Sequence, residues 1–135
     1  ESLRLYPPAW LITRESIEGD ELCGVSIPPK SLIILSPYLL QRTARWDQPD
    51  EFIIDRFLSA DSSQLARADY LPFGLGARMC IGRDMALAEG PMLLAKILRD
   101  FDIVPTSDWS NVGVTPSVTL HPTRPMNAKF TSVSD

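Results

Sequence analysis

The chain has 135 residues, 44% of them hydrophobic and 22% charged, with a formal net charge of −4. That is one domain's worth of ordinary globular composition, and its acidic balance argues against a nucleic-acid partner, which needs a basic surface. No apolar run reaches the length of a membrane span, no signal-peptide pattern is present, and two cysteines with one histidine make neither a disulfide framework nor a zinc site.

In chain order, Glu1-Ser-Leu-Arg-Leu-Tyr6 reads as the last turns of a helix that Pro7-Pro8 ends. It opens without methionine and without a capping residue, so a preceding N-terminal part is expected. Glu1 and Arg4 share a helical face and can pair; taken alone, such a pair is a solvated contact worth well under about 1 kcal/mol. From Trp10 to Leu35 the pattern turns to strands. Leu11-Ile12-Thr13 is β-prone, Gly19-Asp20 and Pro28-Pro29 mark turns, and Ser31–Leu35 reads as a buried strand of a small antiparallel sheet. Cys23, in a turn-rich section, reads as structural. Ser36–Thr43 is a short helix with Pro37 in its first turn. A proline- and acid-rich stretch, Trp46–Phe52, leads to Ile53-Ile-Asp-Arg56-Phe57, and polar residues from Leu58 to Tyr70 read as an exposed loop.

Phe73-Gly-Leu-Gly-Ala-Arg-Met-Cys-Ile-Gly82 is the most informative stretch. It sets one aromatic ring, three glycines, one arginine and one cysteine just ahead of a long apolar segment. Gly74 and Gly76 permit backbone conformations closed to other residues, and Gly82 permits close approach to a flat partner. Cys80 falls at the start of a helix, where unpaired N–H groups and the positive end of the dipole favour an anion, so it is placed to serve as a metal ligand. Arg78 offers a planar fork suited to a carboxylate. The run from Ile81 to Arg99 carries Met85, Ala88, Met92 and Ala95 on one side and Leu87, Leu94 and Leu98 on another, which predicts a long buried helix. Gly90-Pro91 predicts a bend within it. Strands are expected over Phe101–Val104, Val114–His121 and Ala128–Val133, kept short by Pro105, Pro116, Pro122 and Pro125, with His121 exposed.

The cysteine segment resembles the haem-binding loop of the cytochrome P-450 superfamily, Phe-x-x-Gly-x-Arg-x-Cys-x-Gly, at Phe73, Gly76, Arg78, Cys80 and Gly82, with Ala86 and Glu89 fitting downstream. Glu1-x-x-Arg4 followed by Leu5-Tyr6-Pro7-Pro8 resembles the family's buried ion pair. Ile53–Phe57 resembles its Pro-Glu-Arg-Phe segment in part, since Ile54 and Asp55 replace the proline and glutamate. The resemblance covers the whole chain but only the C-terminal part of the family's length. It implies an α+β fragment of a mainly helical family: the end of one helix, a small antiparallel sheet, a meander, a cysteine-ligand loop, a long buried helix and small C-terminal strands. Residues 1–135 would be the C-terminal haem-binding part of a single domain.

By the same resemblance, Cys80 is the axial thiolate on the iron of haem b, favouring O–O cleavage. Phe73, Gly82 and Ala86 contact the cofactor, and Arg78 pairs with a propionate. Arg14 resembles a second propionate partner, its alternative being an exposed strand arginine. Glu1, Arg4 and Arg56 form a structural triad, and Ala9, Trp10, Leu11, Ile12, Val114 and Thr115 lie near the substrate. The implied reaction inserts one atom of O2 into a small lipophilic substrate with electrons from a reductase or ferredoxin. That redox partner would dock on the Cys80 side, where Arg42, Arg45, Arg67, Arg83 and Lys96 offer basic charge. The chain alone is expected to be inactive and to fold poorly. A bacterial protein would be cytoplasmic, a eukaryotic one anchored through an N-terminal segment. Rival readings are a non-catalytic haem-thiolate sensor or carrier, an isomerase or peroxygenase of the same superfamily, and a structural domain with a chance cysteine motif.

Overall fold

Proline and glycine set most of the element boundaries. A computed structural model describes residues 1–58 and 69–133, so the expected exposed loop lies mostly outside the described residues. The chain divides into two units: Glu1–Gly74 with Val118–Leu120, and Leu75–Ser117 with the residues from His121 onward.

In the first unit, α1 (Ser2–Leu5) stops where Pro7 and Pro8 deny further backbone donors. An antiparallel ribbon pairs β1 (Ile12–Glu15) with β4 (Leu32–Leu35), in register from Ile12 opposite Leu35 to Glu15 opposite Leu32. The intervening residues form a hairpin of β2 (Asp20–Leu22) and β3 (Val25–Ile27). The sheet expected over this region is thus two separate two-stranded ribbons. The expected burial of Leu32–Leu35 does not hold, because Ile33 alone is half-buried and Leu32 is 66% exposed. A lone ribbon offers its side chains no second layer. Helix α2 (Pro37–Leu40) begins at Ser36, whose hydroxyl accepts from the Leu39 N–H at 3.3 Å and donates to the Trp10 carbonyl at 3.0 Å. Proline follows the cap at the position where its missing donor costs nothing. The unit's centre is small: Leu5, Trp46, Pro7 and Pro37 pack with two buried polar residues, Arg4 and Gln41.

The second unit carries α3 (Arg83–Asp100), which runs continuously through Pro91. It passes directly into β5 (Phe101–Pro105), paired antiparallel with β8 (Ala128–Ser132). Arg99 in its last turn and Lys96 one turn earlier pair with Asp100, cations toward the end where the helix dipole favours them. Phe101 and Phe130 meet edge-on across the ladder at 6.1 Å. Val114–His121 is two strands rather than one: β6 (Val114–Pro116) and β7 (Leu120–Pro122) pair with each other, and Ser117–Thr119 make the turn. The expected burial of the long helix also fails. No residue of α3 is buried, and Met92 is 72% exposed. Its apolar sides are uncovered, so the pattern that predicts a buried helix here marks surface without a partner.

Cys23 and Gly24 form the β2–β3 turn, both with positive φ (52° and 79°). This two-residue geometry suits Asn-Gly and strains a cysteine. Cys23→Asn is expected to stabilise the protein by about 0.5–1 kcal/mol and Cys23→Val to destabilise it by about 1 kcal/mol. Denaturant midpoints at constant slope check both.

Candidate functional site

Two groupings of side chains carry chemistry, one in each unit. In the first, Arg4 is fully buried, and all five of its N–H donors are used. Nε and Nη2 grip the two Glu1 carboxylate oxygens at 2.8 Å each. The remaining donors reach the carbonyls of Gln41 (2.8 Å), Pro49 (2.6 Å) and Glu51 (2.9 Å). Arg56 joins from the 3-10 turn Ile54–Phe57. Its Nε donates to Glu1 Oε1 at 3.1 Å, and its outer nitrogens donate to the carbonyls of Asp47 and Gln48. The Ile53 N–H completes the Glu1 shell at 3.1 Å. Both guanidiniums also sit against Trp46, at 5.2 and 5.9 Å from its ring centroid. Phe57 and Tyr70 pack on the same indole.

Burial alone would push the Glu1 carboxyl up, but donors from Arg4, Ile53 and Arg56 outweigh it and hold the group at about 2 against an ordinary 4.5. Its folded value is below its unfolded value, so its stabilisation is full above about pH 4.5 and is lost as pH falls toward 2. The side chain is only 4% exposed, and the term is at most about 3 kcal/mol.

The second grouping is the cysteine segment. A 3-10 turn, Gly76–Arg78, is closed by the Met79 N–H on the Gly76 carbonyl at 3.1 Å. Gly76 has φ +69° with open space around it, so the backbone conformation, not crowding, requires glycine there. Cys80 is exposed, two residues before the helix cap Gly82. A Cβ added to Gly82 would lie 3.8 Å from the Cys80 sulfur, so the thiol lies against this bare stretch of backbone. Arg78 is exposed and makes no hydrogen bond or ion pair among the described residues. Ala86 lies in the first turn of α3, its N–H on the Gly82 carbonyl at 2.9 Å.

Cofactor chemistry can be tested against this donor set. Among the described residues no group of three His, Cys, Asp or Glu side chains converges on one point. A single thiol cannot hold a bare ion, but it can be the one protein ligand of an iron already held by a porphyrin. An exposed sulfur at the start of an 18-residue helix, with an uncommitted arginine two residues away, fits that role.

A family model described as cytochrome P-450 matches residues 1–129. The chain belongs to the cytochrome P-450 family. It is 46% identical over 98 residues to cyclooctatin synthase of Streptomyces melanosporofaciens, covering 72% of this chain and 21% of that one. It is 34% identical over 134 residues to cytochrome P-450 3A15 of Cavia porcellus, covering 98% and 27%. The solved haem domain of cytochrome P-450DA superimposes with a TM-score of 0.89 at 29% identity, covering 98% of this chain and 30% of that one. The chain therefore spans about a quarter of the length of these P-450 relatives.

The other expected site residues are distributed as follows. Phe73 is half-buried and closes the first unit's last turn, where the Gly74 N–H meets the Leu71 carbonyl at 3.1 Å. Arg14 is exposed on β1 and donates to the Thr13 carbonyl at 2.7 Å. Ala9, Trp10, Leu11 and Ile12 belong to the first unit, Val114 and Thr115 to the second. The residues expected to offer basic charge to a redox partner are individually paired where they are described. Arg42, Arg45, Arg83 and Lys96 each pair with a carboxylate, of Asp50, Asp69, Asp84 and Asp100 respectively, and Arg67 lies outside the described residues. Arg42 also stacks on Tyr38 at 3.9 Å. Sequence reasoning misses Gln41, a fully buried amide, and the meander carbonyls that receive the arginines. Backbone acceptors leave no mark in a sequence, and a lone glutamine after a short helix gives almost none.

Arg4→Met is expected to cost about 3–5 kcal/mol, because it strands a buried carboxylate and three carbonyls. Glu1→Gln should lower stability at neutral pH while flattening its decline between pH 4.5 and 2. Chemical unfolding across that pH range measures both.

Proposed function

We infer that the chain carries the thiolate-ligand portion of a haem-dependent monooxygenase, the C-terminal haem-binding part of a single cytochrome P-450 domain. The observation that carries this reading is the exposed Cys80 sulfur beside Gly82 at the start of α3, with Arg78 uncommitted. Haem b, when bound, would supply the iron at which O2 is activated. Cys80 would hold the iron through its sulfur and donate electron density to it. The first N–H groups of α3 would hold negative charge on the sulfur, and Arg78 would neutralise a propionate. Phe73, Gly82 and Ala86 would pack against the macrocycle, Gly82 by offering no side chain. The Glu1–Arg4–Arg56 cluster would keep the meander and α1 in one arrangement and take no part in the chemistry.

The reaction would place one atom of O2 in a small lipophilic substrate and reduce the other to water with two electrons from a redox partner. The names of two relatives support the class: pentalenene oxygenase of Streptomyces avermitilis, 36% identical over 125 residues, and tabersonine 16-hydroxylase 2 of Catharanthus roseus, 38% identical over 115. Ala9–Ile12 and Val114–Thr115 would face the substrate. Among the described residues no helix is long and apolar enough to cross a membrane.

Cys80→Ser in the haem-loaded protein is expected to abolish the thiolate-type spectrum of the reduced carbon-monoxide adduct, while Cys23→Ser leaves it unchanged. An unaltered spectrum in Cys80→Ser would overturn the reading. Arg78→Leu removes one charge-assisted contact and should weaken haem retention about tenfold, measured by transfer to apomyoglobin. A normal spectrum with no oxygenation of any substrate would favour the sensor or carrier alternative.

A further inference from the structure

Gln41 follows α2 directly and is fully buried. Its side chain makes three hydrogen bonds, and its carbonyl accepts a fourth from Arg4. Nε2 donates to the carbonyls of Leu3 (3.1 Å) and Arg4 (2.9 Å) at the end of α1. Such terminal carbonyls have no partner within a helix. Oε1 accepts from the Leu71 N–H at 2.8 Å. The backbone carbonyl of Gln41 takes the Arg4 Nη1 at 2.8 Å. One amide therefore uses both donors and its acceptor on two distant stretches of chain.

The Leu71 end has the greater consequence. Leu71 opens the segment that leads to Cys80, and Pro72 after it restricts its backbone to extended conformations. Its carbonyl accepts the Gly74 N–H at 3.1 Å, closing a turn that contains Phe73, with Gly74 at φ +72°. Both backbone groups of Leu71 are thus committed: one to this turn, the other to Gln41. No other described side chain is bonded to the Leu71 N–H, so the start of the cysteine segment takes its side-chain hold from a residue thirty positions earlier.

We propose that Gln41 is a positioning residue for the cysteine-ligand segment, tethering the Leu71–Gly74 turn to the end of the helix that carries Glu1 and Arg4. The proposal rests on the haem-thiolate reading of Cys80. Loss of the tether would free the turn and loosen the start of the segment that leads to Cys80, in addition to any general loss of stability.

The test compares Gln41→Met, which fills the same space without hydrogen bonds, with Ser36→Ala. The latter removes the α2 cap and the Trp10 contact but leaves the Gln41–Leu71 bond in place. Both are prepared in the haem-loaded protein, with amide hydrogen exchange of the Leu71–Gly74 peptide as a readout independent of haem. Gln41→Met is expected to speed exchange at Leu71 about tenfold and to shift part of the reduced carbon-monoxide adduct to the form lacking thiolate. Ser36→Ala should lower thermal stability with neither effect. If Gln41→Met does not fold, Gln41→Asn supplies the comparison, since both its groups sit one carbon short. Unchanged exchange and spectrum in the Gln41 variant, or equal changes in Ser36→Ala at matched stability, would overturn the proposal. Absence of a thiolate-type spectrum in the unaltered protein would instead defeat the haem reading, and the exchange comparison would still decide whether Gln41 holds the turn.

Discussion

A buried guanidinium is tolerable only when every donor has an acceptor and the charge has a counter-ion. Arg4 meets both conditions, with Glu1 supplying the charge and three carbonyls supplying the remaining acceptors. The rest of the first unit follows from that requirement. The carbonyls belong to Gln41, Pro49 and Glu51, so the chain after α2 has to return to α1 and stay there. Arg56 repeats the device from the other side, clasping Asp47 and Gln48 by their backbones while sharing the Glu1 carboxylate. Few apolar side chains are buried in this unit, and the ion cluster takes the central place that a larger domain gives to leucine and valine. A polar centre of this kind specifies one arrangement, because few others satisfy all its groups at once.

The sequence made some of this legible and hid the rest for identifiable reasons. The pairing of Glu1 with Arg4 is readable from helical spacing, but its burial is not, since the same spacing serves surface pairs. Arg56 is readable only by resemblance, because fifty-odd residues separate it from Glu1. Prolines and glycines mark boundaries well: Pro7-Pro8 ends α1, Pro37 begins α2, and Gly24 turns the β2–β3 hairpin. Hydrophobic pattern identifies the elements but not their exposure. Leu32–Leu35 and α3 both read as buried, and both lie largely uncovered. Periodicity records what a segment is suited to pack against, whether or not a partner is there. Pro116 allows β6 to end, but nothing local announces that the chain reverses at once into β7.

The cysteine segment divides its glycines by task. Gly76 adopts a left-handed conformation in open space, so its hydrogen side chain matters for the backbone angle. Gly82 has an ordinary angle, but a side chain on it would stand directly beside the Cys80 sulfur. One glycine is required by its backbone angle, while at the other an added Cβ would make an ordinary contact with the thiol. Among the described residues Arg78, between them, has no hydrogen-bond or ion-pair partner, whereas Arg83, Lys96 and Arg99 all have local carboxylates. An exposed guanidinium two residues along the chain from an exposed sulfur suits the anionic edge of a flat cofactor.

The arginines hold the meander by main-chain oxygens, at positions 47, 48, 49 and 51. Any amino acid presents the same oxygen, and the side chains of Asp47, Gln48 and Glu51 face solvent. These contacts therefore place no demand on the side chains at 47, 48, 49 and 51, only on the path of the backbone. The fold of this stretch is thus set from outside it, by two guanidiniums that read only its main chain.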